Sequence, residues 1–337
     1  MRAMLLRTIS PIETSPLELV ELPTPEPGRN EIRLRVTVCG VCRTDLHVIE
    51  GDLPQQTLPM VPGHQVVGVV DALGPGADGF EIGDRAGIAW LRDTCGVCDD
   101  CLNGRENLCR KSRYTGYHEP GGYAEYAVVS AAYAYHLPAG FDDLAVAPLL
   151  CAGIIGYRAL ERSAVAPGGR IVLYGFGSSA HVVMQLARHR GCTVDVVTRG
   201  ESHRELARRM GAEWVGGEGE RPPVPADGAI IFAPAGTIVP DALRGIRAGG
   251  TVACAGIHMT PVPELEYEPC LFHEKTLTSV EANTREDGRG LLAEAAAVPV
   301  AARVTEFALE EANEALIRLK RDGIDGSAVL RVSEPDA

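Results

Sequence analysis

Gly169-Arg170-Ile171-Val172-Leu173-Tyr174-Gly175-Phe176-Gly177-Ser178-Ser179-Ala180 is the stretch on which the fold turns. An apolar strand-like run passes into G-x-G-x-x-A, and residues 181–188 continue as an amphipathic helix. After Gly191 a second apolar run, Thr193-Val194-Asp195-Val196-Val197, follows. Strand, glycine turn, helix and strand in this order make a βα(β) unit, whose helix N-terminus suits a pyrophosphate. Gly175, Gly177, Ser178, Ser179 and Ala180 are therefore candidate dinucleotide-binding residues. Downstream, residues 229–233 and 250–256 read as buried strands with a short helix over 240–247 between them, and a last strand falls near 276–282. The expectation is an α/β, doubly wound parallel sheet.

Upstream of residue 150 the pattern differs. Short alternating runs such as Glu31-Ile32-Arg33-Leu34-Arg35-Val36-Thr37-Val38, broken by Pro23, Pro25, Pro27 and Gly28, read as strands and turns. They lead into Gly40-Val41-Cys42-Arg43-Thr44-Asp45-Leu46-His47. A thiolate at Cys42 suits Zn²⁺, the Thr44 hydroxyl suits an oxygen held beside it, and His47 suits a proton carrier. A lone Cys after a Val-rich strand is ordinarily a small buried hydrophobe. Two further donors change that reading: His64 on the Pro62-Gly63 turn and Cys151 after Pro148-Leu149-Leu150. Cys42, His64 and Cys151 together form a Cys₂His set, the three-ligand pattern of a catalytic zinc that keeps a fourth position open. Between them, Cys95-Gly96-Val97-Cys98-Asp99-Asp100-Cys101 and then Cys109 supply four closely spaced thiols. That set suits a closed, structural Cys₄ zinc which staples a lobe poor in apolar residues.

Composition bounds the function. The 337 residues exceed one ordinary domain, and 45% hydrophobic with 23% charged residues supports packed cores. A formal net charge of −13 with no offsetting basic cluster argues against nucleic acid as a partner. The N-terminus lacks the grammar of a signal peptide, and no run approaches the roughly 18 apolar residues of a membrane span, so the expected location is the cytoplasm. There, ten clustered cysteines read as metal ligands rather than disulfides.

With these motifs in this order, the chain resembles the zinc-dependent medium-chain alcohol dehydrogenases over essentially its whole length. The resemblance implies a GroES-like β-barrel catalytic domain, residues 1–151 plus 288–337, around a Rossmann cofactor domain, residues 152–287. It assigns Cys42, His64 and Cys151 to a catalytic zinc and Cys95, Cys98, Cys101 and Cys109 to a structural one, two Zn²⁺ per chain. Thr44 and His47 match a proton relay that runs by way of the cofactor ribose. The implied reaction is hydride transfer between a small-molecule alcohol or aldehyde and a nicotinamide cofactor. Rival readings are a polyol or sugar dehydrogenase of the same fold and a non-catalytic zinc- and nucleotide-binding regulator or metal-free reductase.

Two departures stand out. Gln65 follows the His ligand where the family commonly has Glu, and Ser327 stands where many relatives place a phosphate-binding Arg. Cofactor choice rests on the end of the second Rossmann strand. Asp195 has the nominal spacing but lies too early in the run, whereas Thr198 and Arg199 sit at the strand's carboxyl end without an acid to select NAD(H). NADP(H) is the expected cofactor, with NAD(H) the alternative. Trp90 is expected to line the substrate cleft, with Tyr114 and His258 as looser candidates, and a homo-oligomer, tetramer or dimer, is expected by analogy with relatives of this length.

Overall fold

The strand Glu31–Val41 organises the first half of the chain. Its side chains alternate half-buried and buried through Val36, then become buried on both faces as the strand enters the interior. In the computed structural model, which describes residues 1–53, 57–298, 300, 303–324 and 326–333, it pairs antiparallel with Gln65–Leu73, Tyr126–Ser130 and Ser327–Arg331. Two register shifts, between Arg33 and Leu34 and between Val36 and Val38, interrupt its ladder with Gln65–Leu73. Such irregularities bend a strand and increase its twist, which lets a sheet curl around its contents. The full sheet runs Val304–Ala308, Ser327–Arg331, Glu31–Val41, Gln65–Leu73, Arg85–Ile88, Ala134–His136, with Tyr126–Ser130 also on the central strand. Ile32, Leu34, Val36, Val66, Ile88, Val129 and Leu330 are buried in its core, joined by Met4 and Leu6 from the Arg2–Leu6 strand.

The second half is a six-stranded parallel sheet ordered Trp214–Gly216, Thr193–Val197, Arg170–Tyr174, Ala226–Ile231, Ile246–Cys254, Thr276–Ser279. Numbered along the chain this is 3-2-1-4-5-6, the doubly wound order with its switch point beside the first strand. Ile171, Val172 and Leu173 are fully buried, as a central parallel strand covered on both faces requires. Helices Ser178–His189, Glu201–Met210 and Val239–Gly245 connect the strands. The first of these begins at Ser178 rather than at residue 181, because Gly177 is its N-cap and the serines of the glycine motif already belong to its first turn. The strands foreseen at 229–233 and 250–256 both start and end earlier, at Ala226–Ile231 and Ile246–Cys254.

The described residues form two compact units, those of 1–152, 282–296 and 303–333 in the first and those of 153–281 and 297–300 in the second. The chain returns to the first unit at Ala282, ahead of the residue-288 boundary drawn from sequence. The reason is local: Asn283 donates to the Tyr135 hydroxyl at 3.3 Å and the Arg285 N–H to Glu106 at 3.0 Å, both partners lying in the first unit. No single helix among the described residues is long and apolar enough to cross a membrane. Residues 334–337, the end of the expected catalytic domain, lie outside the described residues.

Candidate active site

Strand register brings the first two metal-donor candidates together. Gly40 pairs with Gln65 across the sheet. Cys42 lies two residues beyond the one and His64 one residue before the other, so a thiol and an imidazole leave the same edge side by side. Cys151 arrives at the end of the 3₁₀ turn Ala147–Leu150, whose four residues are buried. The Cys42 Sγ lies 3.3 Å from the His64 Nε2 and 3.9 Å from the Cys151 Sγ, and the His64 Nε2 lies 3.3 Å from the Cys151 Sγ. A tetrahedral zinc with bonds of about 2.3 Å to sulfur and about 2.05 Å to nitrogen needs about 3.8 Å between sulfurs and about 3.6 Å between sulfur and nitrogen. The three donors therefore fit one ion and leave one vertex of the tetrahedron to a further ligand.

Asp45 holds this arrangement. One carboxylate oxygen accepts from the His64 Nδ1 at 3.1 Å and the other accepts the Cys42 N–H at 2.9 Å, and Asp45 is 1% exposed. With its proton on Nδ1, the His64 ring turns the Nε2 lone pair toward the two sulfurs. Cys42 also caps the helix Arg43–Glu50, its sulfur accepting the Thr44 N–H at 3.3 Å. Sequence reasoning quoted Asp45 without giving it a role. The signal was its position three residues after an N-cap, the spacing of a capping box.

Protonation shows the same preference for a cation. The Cys42 thiol is pushed well above its ordinary range, first by its hydrogen bond with Cys151, then by burial and by the neighbouring thiol's charge. Burial works to lower the His64 pKa, but the charges of Cys42 and Asp45 outweigh it and raise it to about 10. Charge on the Cys42 sulfur is resisted by the Asp45 carboxylate and the second sulfur packed beside it, and a divalent cation held there would remove that resistance.

An aromatic stack adjoins the donors. The Trp90 ring meets His64 edge-on at 5.0 Å between centroids and stacks on Tyr114 at 4.9 Å and on Tyr117 at 5.8 Å, with His118 a further 4.5 Å from Tyr117. Of the residues the sequence reading expected at a substrate cleft, Trp90 stands against His64 and Tyr114 against Trp90, while His258 lies in the second unit after the Ile246–Cys254 strand; Tyr117 and His118 were not singled out from sequence. Thr44 and His47 sit three residues apart on one helix, hence on one face. The His47 Nδ1 pairs with Asp52 at 2.8 Å, a partner the sequence did not suggest. Gln65 is 2% exposed, packed where a Cβ on Gly40 would come within 2.8 Å of its carboxamide carbon, so Gly40 makes room for it.

The four remaining thiols also converge. Cys95 lies 3.5 Å from Cys109 and 3.9 Å from Cys101, and Cys101 lies 3.5 Å from Cys98, near the sulfur spacing of a tetrahedral site. Backbone N–H groups of Val97 and Cys98 bring Cys95 down to about 6, whereas Cys98 is raised to about 11. The Cys98 rise follows from sharing protons with its neighbouring thiols, which outweighs the N–H of Cys101.

In the second unit, Gly175 adopts φ +88°, a left-handed conformation that glycine alone takes without strain. A Cβ built on Gly177 would meet nothing within 4 Å, and no side chain caps the helix that begins there. That open approach to the N-terminus of a helix without a side-chain cap suits a pyrophosphate. Ser178, Ser179 and Ala180 form the helix's first turn. Asp195 is fully buried and bound by Arg170 at 2.7 and 3.0 Å, so it stays within the sheet. Thr198 and Arg199 follow the strand's end, Thr198 buried with its N–H on Gly216 at 3.1 Å and Arg199 exposed. Ser327, in the Ser327–Arg331 strand, is buried in the first unit.

Fold and site together define a two-unit dehydrogenase with a Rossmann sheet and two metal-donor clusters. Comparison with known proteins agrees. Residues 28–139 match the alcohol dehydrogenase GroES-like domain family and residues 180–297 the zinc-binding dehydrogenase family. The chain is 49% identical to "Probable alcohol dehydrogenase AdhA" of Mycobacterium tuberculosis, over 98% of this chain and 97% of that one. It is 34% identical to an alcohol dehydrogenase of Geobacillus stearothermophilus, covering 94% and 96%. Among solved structures, a cinnamyl alcohol dehydrogenase of Sorghum bicolor superposes with a TM-score of 0.88 at 27% identity, covering 98% of this chain and 97% of that chain. The chain belongs to the zinc-type medium-chain alcohol dehydrogenases, and its function is that of an alcohol dehydrogenase.

Proposed function

We propose that this enzyme interconverts small alcohols and aldehydes using NADP(H), with one zinc at Cys42, His64 and Cys151 and a second at Cys95, Cys98, Cys101 and Cys109. The observation that carries the reading is the approach of two sulfurs and one imidazole nitrogen to within 3.9 Å of one another from three distant parts of the chain. When bound there, Zn²⁺ supplies Lewis acidity that brings deprotonation of an oxygen acid into the neutral range. The protein's own part is positional. Asp45 and the Arg43–Glu50 helix hold the donors, Trp90 with Tyr114 and Tyr117 walls the space beside His64, and Thr44 offers a hydroxyl that accepts and passes a proton. His47, on the same helical face and oriented by Asp52, takes that proton toward solvent. The glycine cradle from Gly175 to Ala180 receives the dinucleotide phosphates, and the absence of an acid at Thr198 beside Arg199 favours the 2′-phosphate.

Metal analysis and a cofactor comparison test this together. Two zinc atoms per chain and a kcat/KM for NADP⁺ about tenfold or more above that for NAD⁺ are expected. One zinc per chain removes the catalytic-metal reading, and a preference for NAD⁺ removes the cofactor reading. The Thr276–Ser279 strand ends the parallel sheet with Leu277 36% exposed, which supports self-association along that edge as the route to a dimer or tetramer; sedimentation tests it. A cytoplasmic site of action accords with the reduced thiols that both metal clusters require.

A further inference from the structure

The four-cysteine lobe has connections that stapling its own loop does not require. The Thr94 Oγ1 lies 3.3 Å from the Cys101 Sγ and 2.6 Å from the Tyr133 hydroxyl. Thr94 thus links the Cys101 sulfur to the Tyr133 hydroxyl in one hydrogen-bonded run. The Arg285 guanidinium lies over the Tyr133 ring, 5.0 Å from its centroid. From the other side, Glu106, between Cys101 and Cys109, directs one oxygen at Arg285, accepting its backbone N–H at 3.0 Å and its Nε at 3.1 Å. The Glu106 side chain is 5% exposed and that of Arg285 34%, so the carboxylate is shielded while the guanidinium keeps part of its contact with solvent.

Arg285 stands at the start of the segment by which the chain re-enters the first unit. Thr284 and Asp287 cap the helix Arg285–Ala297 reciprocally, and Asn283 donates to Tyr135. The helix therefore has its own local start. What ties that start to the lobe is Glu106 on one side and the Thr94–Tyr133 pair on the other.

We propose that the four-cysteine lobe is a clamp on the returning chain: with its ion in place it holds the segment around Arg285, and on losing the ion it releases that segment. The inference rests on the reading that the lobe holds an ion. It makes Glu106 a positioning residue that acts through Arg285, and it makes metal retention in the lobe a condition for order at a point 176 residues further along the sequence than Cys109.

Site-resolved trypsin cleavage of the full-length metallated protein tests it, with zinc counted in the same samples. Cys98→Ser should lose one zinc and be cut after Arg285 about tenfold faster than wild type, with the rate after Arg209 of the second unit unchanged. Glu106→Gln should keep both zinc atoms and still be cut after Arg285 about threefold or more faster, which separates loosening of the clamp from collapse of the lobe. An Arg285 rate equal to wild type in Glu106→Gln overturns the clamp, and so does an equal rate in a folded Cys98→Ser that has lost its ion. If Cys98→Ser holds as many zinc atoms as wild type, the lobe reading fails first, and the count shows which of the two has failed. Should Cys98→Ser not fold, Glu106→Gln alone decides.

Discussion

Asp45→Asn isolates what the buried carboxylate contributes to the candidate metal site. The two oxygens of Asp45 accept from two donors at once, the His64 Nδ1 at 3.1 Å and the Cys42 N–H at 2.9 Å. Asparagine has the same shape but one acceptor oxygen, so its amide nitrogen must face one of those two N–H groups. If the carbonyl stays with His64, the Cys42 N–H is left unpaired in a buried site, at a cost of about 1–3 kcal/mol. If it turns to Cys42, the His64 ring loses its orienting partner. Either way the donors are less well prepared, and losses of this kind typically weaken metal binding by about 10–100-fold, or about 1.4–2.8 kcal/mol. Competition with a chromogenic zinc chelator gives the measurement, because it resolves two classes of zinc by affinity. One class should weaken by that factor while the Cys95/Cys98/Cys101/Cys109 class is unchanged and the far-UV dichroism is that of the wild type. A catalytic-class affinity within about twofold of wild type would refute the argument that Asp45 prepares the donors.

Three further outcomes follow from other contacts. Thr198→Asp places an acid at the carboxyl end of the Thr193–Val197 strand and should move the ratio of kcat/KM for NADP⁺ to that for NAD⁺ toward NAD⁺ by about 10–100-fold, the range of one charge-assisted hydrogen bond; a change below about threefold sinks the assignment. Gly177→Val should leave the melting temperature of the cofactor-free enzyme unchanged, because φ is −101° and a Cβ there meets nothing within 4 Å, yet raise the dinucleotide KM about tenfold or more by filling the phosphate approach. A lower melting temperature with an unchanged KM contradicts this. Glu106 is pulled down by burial's opponent here, the Arg285 hydrogen bonds and charge, which outweigh the upward push of desolvation, so its folded pKa lies below the ordinary 4.5. Its contribution is then fully present above pH 4.5 and lost as pH falls through the lower folded value; Glu106→Gln should flatten that part of the acid-unfolding profile, and an unaltered profile speaks against the pairing.

The features legible in the sequence are those whose partners lie close along the chain. Gly175 and Gly177 announce a phosphate turn because strand, glycine and helix are contiguous, and Cys95, Cys98, Cys101 and Cys109 announce a metal lobe because they fall within one short loop. Even there the helix start was read three residues late, since Ser178 to Ala180 serve both the motif and the first turn. The convergence of Cys42 with His64 is of another kind. It depends on the pairing of Gly40 with Gln65, and a slip of one residue in that ladder would send the side chains to opposite faces. Register is fixed by the packing of a whole sheet, so spacing along the chain does not encode it; residue types nominated Cys42, His64 and Cys151 as one donor set, and the likeness to a family assigned that set to one ion. The same physics hid Asp45 and Tyr117 as partners of His64 and Trp90, and hid Glu106 as the partner of Arg285, which is 179 positions away. A donor set can therefore be nominated from residue types, but the groups that orient it, and so set how tightly it holds an ion, come into view only once the sheet has brought distant segments together.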